Sequence, residues 1–294
     1  MTATLIDGKK IAEDIRREIK IETERLKASS GITPGLAFIL VGENPASQSY
    51  VRMKGKACEE MGFYSVTERL SEETSEAYLL QLIDQFNRDK RIHGILVQLP
   101  LPKHISEEKV ITAIDYKKDV DGFHPINVGR LVIGQECLKP CTPAGVQELL
   151  VRSGNDPSGK HVVVVGRSNI VGKPVMNILL QKQKGANAVV TIAHTGASDI
   201  LQYTKQADIL VAAIGKPECI TGDMLKPGVV VIDVGINRVE DPSAKNGYRI
   251  VGDIHFASAV KIAKAITPVP GGVGPMTIAM LMKNTLSAAK GGMY

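Results

Sequence analysis

Tyr50 and Lys54 stand four residues apart in Ser49-Tyr50-Val-Arg-Met-Lys54-Gly-Lys56, a spacing that on a helix puts a phenol and an amine on one face. A phenol can position a flat ligand. An amine can move protons once burial or a neighbouring cation lowers its ordinary pKa of about 10.4. An exposed helix lysine has the same spacing, and from spacing alone that plainer reading wins. Gln98 closes an apolar run and is followed by Leu99-Pro-Leu-Pro102; parallel sheets gather ligands at such carboxyl ends of strands. In Asp119-Val-Asp121-Gly-Phe-His-Pro125 a carboxylate is available for the amino and ring N–H groups of a heterocycle, although an Asp-Gly turn accounts for the same residues. Thr267-Pro-Val-Pro-Gly-Gly-Val-Gly-Pro275 is a stiff, glycine-kinked stretch that either lets a flat ligand approach the backbone or leads into a helix.

A second chemistry is written at Gly166-Arg-Ser-Asn-Ile-Val-Gly-Lys-Pro174, directly after His161-Val-Val-Val-Val165. Strand, glycine turn and helix start form the order a dinucleotide pyrophosphate needs, because the first helical turn offers free amides and a positive dipole end. The spacing departs from G-x-G-x-x-G: Ser168 replaces the second glycine, and Gly172 comes one residue late. A plain βα turn is the alternative. An NAD site places Asp or Glu about 20 residues further on to hold the ribose diol. Here Ala186-Asn-Ala-Val-Val-Thr-Ile-Ala-His-Thr195 contains no carboxylate, and the next is Asp199. Arg167 in the loop, with His194 and Thr195 after the strand, suits the 2′-phosphate of NADP, which a carboxylate would repel. NADP over NAD is the expectation, with a solvated surface arginine as the alternative.

The elements that must hold these groups follow from hydropathy. Residues 35–42 and 93–98 read as buried strands, and residues 47–61 and 75–87 as helices, the second with Tyr78, Leu79, Leu82, Ile83 and Phe86 on one side. Residues 115–141 carry Gly, Pro, Asp and Lys without a sustained period, as a binding loop or boundary does. Thr142-Pro143 opens a helix. A second βα series follows with strands at 161–166, 188–193, 208–213 and 229–234, rich in β-branched residues as strands covered on both faces are. A last helix opens at Pro275. The class is α/β, with largely parallel sheets.

Composition narrows the partners. A chain of 294 residues fits two domains of roughly 100–200 residues each. There is no apolar run of 18 residues and no signal-peptide order at the N-terminus, so no membrane span is expected and the cytoplasm is the default. Cys58, Cys137, Cys141 and Cys219 form no CxxC pair, so free thiols are expected rather than zinc or disulfides. The net charge of +5 is scattered, and Trp is absent, unlike a nucleic-acid binder; anionic small molecules fit better.

Six motifs stand in order: Tyr50-Val-Arg-Met-Lys54, Val97-Gln-Leu-Pro-Leu-Pro102, Lys118-Asp-Val-Asp-Gly-Phe123, Gly166-Arg-Ser-Asn-Ile-Val-Gly172, Asp233-Val-Gly-Ile-Asn237 and Pro268-Val-Pro-Gly-Gly-Val-Gly-Pro275. Through them the sequence resembles, over nearly its whole length, the bifunctional methylenetetrahydrofolate dehydrogenase (NADP+)/methenyltetrahydrofolate cyclohydrolase family in its short form, without a formyltetrahydrofolate ligase domain. The resemblance implies a folate-binding catalytic α/β domain of residues 1–140 plus 275–294. It implies a Rossmann-type doubly wound NADP-binding domain of residues 141–274, a cleft between the two, and a C-terminal helix packed back on the first. It further implies a homodimer and a two-step activity: oxidation of methylenetetrahydrofolate, then hydrolysis of the methenyl product to formyltetrahydrofolate. Lys54 matches the family's catalytic lysine, Tyr50 the tyrosine near the folate ring, Gln98 the partner of the lysine and Asp121 the pterin-binding aspartate. Val51, Arg52, Met53, Val97 and Leu99 fall on substrate positions, as do Pro270, Gly271, Gly272, Val273 and Gly274. Gly166, Arg167, Ser168, Thr195 and Ile236 fall on cofactor positions. The sequence departs from the family at Ala193-His-Thr-Gly-Ala-Ser198, where many members carry Cys-His-Ser. A dehydrogenase without the hydrolase step, and a silent NADP- or folate-binding regulator, are the rival readings; a product assay separates all three.

Overall fold

All seven residues of Gly35–Val41 are buried, and this strand forms the centre of a parallel sheet in the order Tyr64–Leu70, Gly35–Val41, Gly94–Val97. The computed structural model describes residues 2–244 and 247–291. The Tyr64–Leu70 strand escapes the sequence reading because it is an edge, alternately exposed and half-buried, with Thr67, Glu68 and Arg69 interrupting any apolar run. The helix Pro45–Met61 follows the central strand. The helix Glu76–Arg88 is capped by Ser75, whose side chain accepts from the Tyr78 N–H, and it buries Leu79, Ile83 and Phe86. Tyr78 itself is 53% exposed and so lies off the side expected to be buried. Leu79, Ile83 and Phe86 pack with Ala37, Ile39, Ile95 and Val97 in one core.

Residues 115–141, expected to be irregular throughout, hold the short helix Pro125–Val132. Its N-cap is His124, a residue type outside the usual capping set, whose Nδ1 accepts from the Ile126 N–H at 3.1 Å. Asp119 bridges to Ile95 beside the Gly94–Val97 strand, which ties the Asp-rich turn to the sheet. The final helix is Val273–Lys290, starting ahead of Pro275, which lies in its first turn. Met282 on this helix meets Cys58 on Pro45–Met61, sulfur to sulfur at 3.8 Å. Burial pushes the Cys58 thiol up to about 12, helped by the Glu59 charge.

The second sheet has six parallel strands in the order Thr4–Leu5, Ala265–Ile266, Val230–Asp233, Ile209–Ala212, His161–Val165, Val189–Ala193. From His161–Val165 the chain moves outward to Val189–Ala193 and then returns to the opposite side at Ile209–Ala212. Such a reversal opens a crevice beyond the carboxyl ends of the strands. Val163, Leu210, Val231 and Ile266 fill its core. A separate antiparallel pair, Asn237–Glu240 with Tyr248–Val251, was not expected from the sequence.

The chain divides into one unit of Glu13–Cys141 with Ile278–Tyr294 and another of Met1–Ala12 with Thr142–Thr277. This corrects the expected placement of residues 1–12 in the first domain. Thr4–Leu5 pairs with Ala265–Ile266, and the Ile6 N–H donates to the Ile266 carbonyl at 2.9 Å, so these residues complete the six-stranded sheet. Residues 292–294, the end of the expected first domain, lie outside the described residues. Among the described residues no helix is long and apolar enough to cross a membrane.

Candidate functional site

The helix Pro45–Met61 buries Val51 and Lys54, 2% and 6% exposed, while Arg52 and Met53 on its other side are exposed. A buried amine needs a partner, and Lys54 Nζ donates to Gln98 Oε1 at 3.1 Å. Gln98 follows the Gly94–Val97 strand, and its backbone N–H donates to the Ile39 carbonyl at 2.9 Å, so the sheet fixes its position. Its side-chain Nε2 donates to the Leu99 carbonyl at 2.7 Å, which leaves the amide oxygen turned to the amine. Lys54 Nζ also lies 6.0 Å from the centroid of the Tyr50 ring, itself half-buried. Val97 is buried and Leu99 half-buried beside this group, and the Leu99–Pro100 peptide is cis.

Asp121 enters on the turn after the bridge at Asp119. The buried Asp119 carboxylate accepts from the His124 N–H at 2.7 Å and from Asn127 Nδ2 at 3.0 Å, so its work is to shape the turn. Burial pushes the Asp121 carboxyl above its ordinary range; the Lys54 charge draws it down, Asp119 pushes it further up, and a hydrogen bond from the Cys141 thiol lowers it. Gly122 adopts φ +75°, and a Cβ there would come within 2.5 Å of the Lys139 carbonyl carbon. Phenol, amine, amide and carboxyl thus come from three segments of one unit. Together they can hold a heterocycle bearing N–H groups and exchange a proton with it.

Pro270 to Gly274 belong to the other unit, so the substrate positions expected from the sequence fall in both. Pro270 is exposed, Gly271, Gly272 and Val273 are buried, and Gly274 is half-buried. A Cβ on Gly8 would meet the Gly272 carbonyl oxygen at 1.8 Å, so backbone packs on backbone here. Ile236, 55% exposed, is the nearest neighbour of a Cβ built on Gly274, at 3.9 Å.

The phosphate-loop glycines have separate steric reasons. Gly166 adopts φ +132°, and a Cβ there would strike the Ala213 carbonyl oxygen at 2.1 Å; one on Gly172 would strike the Gly166 carbonyl oxygen at 2.1 Å. Ser168 Oγ accepts from the N–H groups of Val171 at 3.1 Å and Gly172 at 3.3 Å, so it caps the helix Gly172–Leu179 with its hydroxyl hydrogen still available to a ligand. Arg167 Nη1 lies 3.4 Å from His194 Nε2. The other ring nitrogen of His194 accepts from the Gly196 N–H at 3.0 Å, which holds the ring beside the guanidinium. Arg167 and His194 thus stand side by side, the exposed guanidinium with N–H groups left for an anion. With Gly166, Ser168, Thr195 and Ile214 they line a cavity of about 370 Å³.

Two buried aspartates, missed in the sequence reading, hold this crevice in shape. Asp233 accepts from the N–H groups of Gly235, Asp253 and Ile254 at 3.0, 2.9 and 2.9 Å. Burial nevertheless pushes its carboxyl up to about 6. Asp253 accepts from Ile214 at 2.6 Å, Gly215 at 2.9 Å and Asn237 Nδ2 at 2.9 Å. A Cβ on Gly252 would lie 1.8 Å from Asp233 Oδ2 and one on Gly235 2.3 Å from Asp253 Oδ1, so each aspartate occupies the space a side chain would take. The Asp-x-Gly of Asp233-Val-Gly235 was the available signal, but its partner lies 20 residues away.

The tetrahydrofolate dehydrogenase/cyclohydrolase catalytic-domain model matches residues 6–121, and the NAD(P)-binding-domain model of the same name matches residues 140–292. The chain is 61% identical over 290 residues to the bifunctional protein FolD of Moorella thermoacetica, covering 99% of this chain and 100% of that one. Among solved structures it is similar to the bifunctional FolD methylenetetrahydrofolate dehydrogenase/cyclohydrolase of Campylobacter jejuni, with a TM-score of 0.92, 48% identity and coverage of 98% and 99% of the two chains. The Trypanosoma brucei methylenetetrahydrofolate dehydrogenase-cyclohydrolase, complexed with NADP cofactor and inhibitor, gives a TM-score of 0.92 at 41% identity, with coverage of 99% and 98%.

Proposed function

Because this chain belongs to the tetrahydrofolate dehydrogenase/cyclohydrolase family, we propose that it oxidises methylenetetrahydrofolate to methenyltetrahydrofolate with NADP and hydrolyses that product to formyltetrahydrofolate. The observation that carries this reading is the buried Lys54 amine held by Gln98 in the field of Asp121.

NADP, when bound, accepts the hydride that leaves the methylene carbon. The residues present fit it: two glycines whose side-chain space is filled by backbone, a helix start, and the exposed Arg167 guanidinium beside His194 for a ribose phosphate. Ser168 and Thr195 add hydroxyls to the lining, and Ile236, beside Gly274, supplies an apolar contact for a planar ring. The Asp121 carboxyl meets the amino and ring N–H groups of the pterin, while Tyr50 lies along its face. Val51, Val97 and Leu99 give the apolar walls.

In the second step water adds to the methenyl carbon and loses a proton. The bond from that carbon to the ring nitrogen then opens as the nitrogen takes a proton and the carbinol hydroxyl gives up its own to become the formyl oxygen. One proton is released overall, and the formyl group stays on the other nitrogen. Lys54 carries these transfers, held in place by the Gln98 carbonyl. Lys54→Met removes the amine and keeps the apolar stem. The expected outcome is loss of methenyl hydrolysis by about a hundredfold or more, followed as decay of methenyltetrahydrofolate absorbance, with NADP affinity unchanged by fluorescence titration. Hydrolysis at the wild-type rate would remove Lys54 from the mechanism.

The chain is proposed to work in the cytoplasm as a homodimer. Its four free cysteines suit a reducing compartment. Val189–Ala193 is an edge of the six-stranded sheet with Val189 67% exposed, a ready surface for self-association.

A further inference from the structure

Asn284 is half-buried on the C-terminal helix, and its side-chain amide nitrogen carries two hydrogens. Both have acceptors: Nδ2 donates to the Val120 carbonyl at 2.8 Å and to the Lys139 carbonyl at 2.8 Å. Val120 directly precedes Asp121, and Lys139 leads into Pro140-Cys141. One side chain therefore clasps the turn that carries Asp121 to the segment that carries Cys141.

The thiol adds to this clasp. Cys141 is buried, and its Sγ donates to the same Val120 carbonyl oxygen at 3.2 Å, while Asn284 Nδ2 also lies 3.6 Å from that sulfur. A carbonyl oxygen has two lone pairs and can serve both donors. Asn284 and Cys141 thus converge on the peptide that immediately precedes Asp121.

We propose that Asn284 is a positioning residue for substrate recognition: by clasping Val120 to Lys139 it fixes the backbone that carries Asp121, so that the carboxyl meets the pterin already ordered. The proposal rests on the reading of Asp121 as the pterin-binding group. It assigns to a residue of the Val273–Lys290 helix, outside every motif, control over how tightly the folate is held.

The test is a double-mutant cycle on the full-length enzyme, with KM for methylenetetrahydrofolate, KM for NADP and kcat measured for wild type, Asn284→Leu, Asp121→Asn and the double variant. Losing the ordered hydrogen bonds raises the folate KM of Asn284→Leu roughly tenfold, with kcat and the NADP KM within about twofold of wild type. In the Asp121→Asn background the same Leu substitution changes the folate KM by less than about twofold, because the group it orders is gone. Equal effects in both backgrounds, or none in either while Asp121→Asn alone raises the folate KM, overturn the proposal and leave the Asp121 reading intact. An unchanged folate KM in Asp121→Asn overturns that reading and the proposal with it. If Asn284→Leu does not fold, Asn284→Ser, which keeps one donor, goes through the same cycle; the same non-additivity at smaller amplitude is expected, and additivity overturns the proposal.

Discussion

The Arg167 guanidinium is exposed beside the His194 ring, 3.4 Å from Nη1 to Nε2, with N–H groups left over for an anion. A ribose phosphate supplies one, and the bare ribose of NAD does not. Arg167→Ala is therefore expected to raise the NADP KM by at least tenfold, while the NAD KM moves by less than about twofold, reflecting loss of a charge-assisted bond; steady-state kinetics with each nucleotide checks this, and equal losses for both would sink the 2′-phosphate assignment. At this scale the sequence offered candidates wherever a reactive group and its neighbours are adjacent in the chain, as in Tyr50 to Lys54 or Gly166 to Gly172, each beside an ordinary alternative. It was silent where the partner is remote. Asn284 reaches back 164 positions to Val120, and Asp253 reaches 39 to Ile214. An Asn on an amphipathic helix has no periodicity that distinguishes it from a solvated one.

Elements place these groups through their ends. The helix Gly172–Leu179 starts against the Gly166 carbonyl, with Ser168 capping it, so the loop and the helix are one steric object. Gly172→Ala puts a methyl 2.1 Å from that oxygen and must push the loop away. The expected result is a weakening of NADP binding by about tenfold or more, read by fluorescence titration, with hydrolysis of supplied methenyltetrahydrofolate retained, since strain confined to one loop costs on the order of 1–3 kcal/mol. Parallel loss of hydrolysis would mean that the loop and the Lys54 group are not separable. Long apolar strands such as His161–Val165 were legible from hydropathy. Short or edge strands were not: Thr4–Leu5, Ala265–Ile266 and Tyr64–Leu70 owe their structure to the strands they pair with rather than to an apolar run of their own.

For the whole molecule, Asp233 sets a dependence of stability on pH. Its carboxyl is carried from an ordinary 3.8 to about 6 by burial, so the folded state holds the proton more tightly than the unfolded chain does. The resulting stabilisation is full below about pH 4 and is lost as pH rises through about 6, a swing of about 3 kcal/mol. Asp233→Asn removes the titration. Urea unfolding across that window should show wild-type stability falling relative to the variant as pH rises, and parallel curves would contradict the assignment.

Neither unit is a continuous length of chain: the six-stranded unit takes its outer strand from residues before Ala12, and the three-stranded unit takes its closing helix from residues after Ile278. During synthesis, then, residues 13–141 leave the ribosome before the Val273–Lys290 helix is made, and until then Cys58 and the Asp121 turn lack the packing of Met282 and the clasp of Asn284. Full competence to bind folate waits on that helix, and a nascent chain interrupted before it offers the pterin a carboxyl on an unclasped turn.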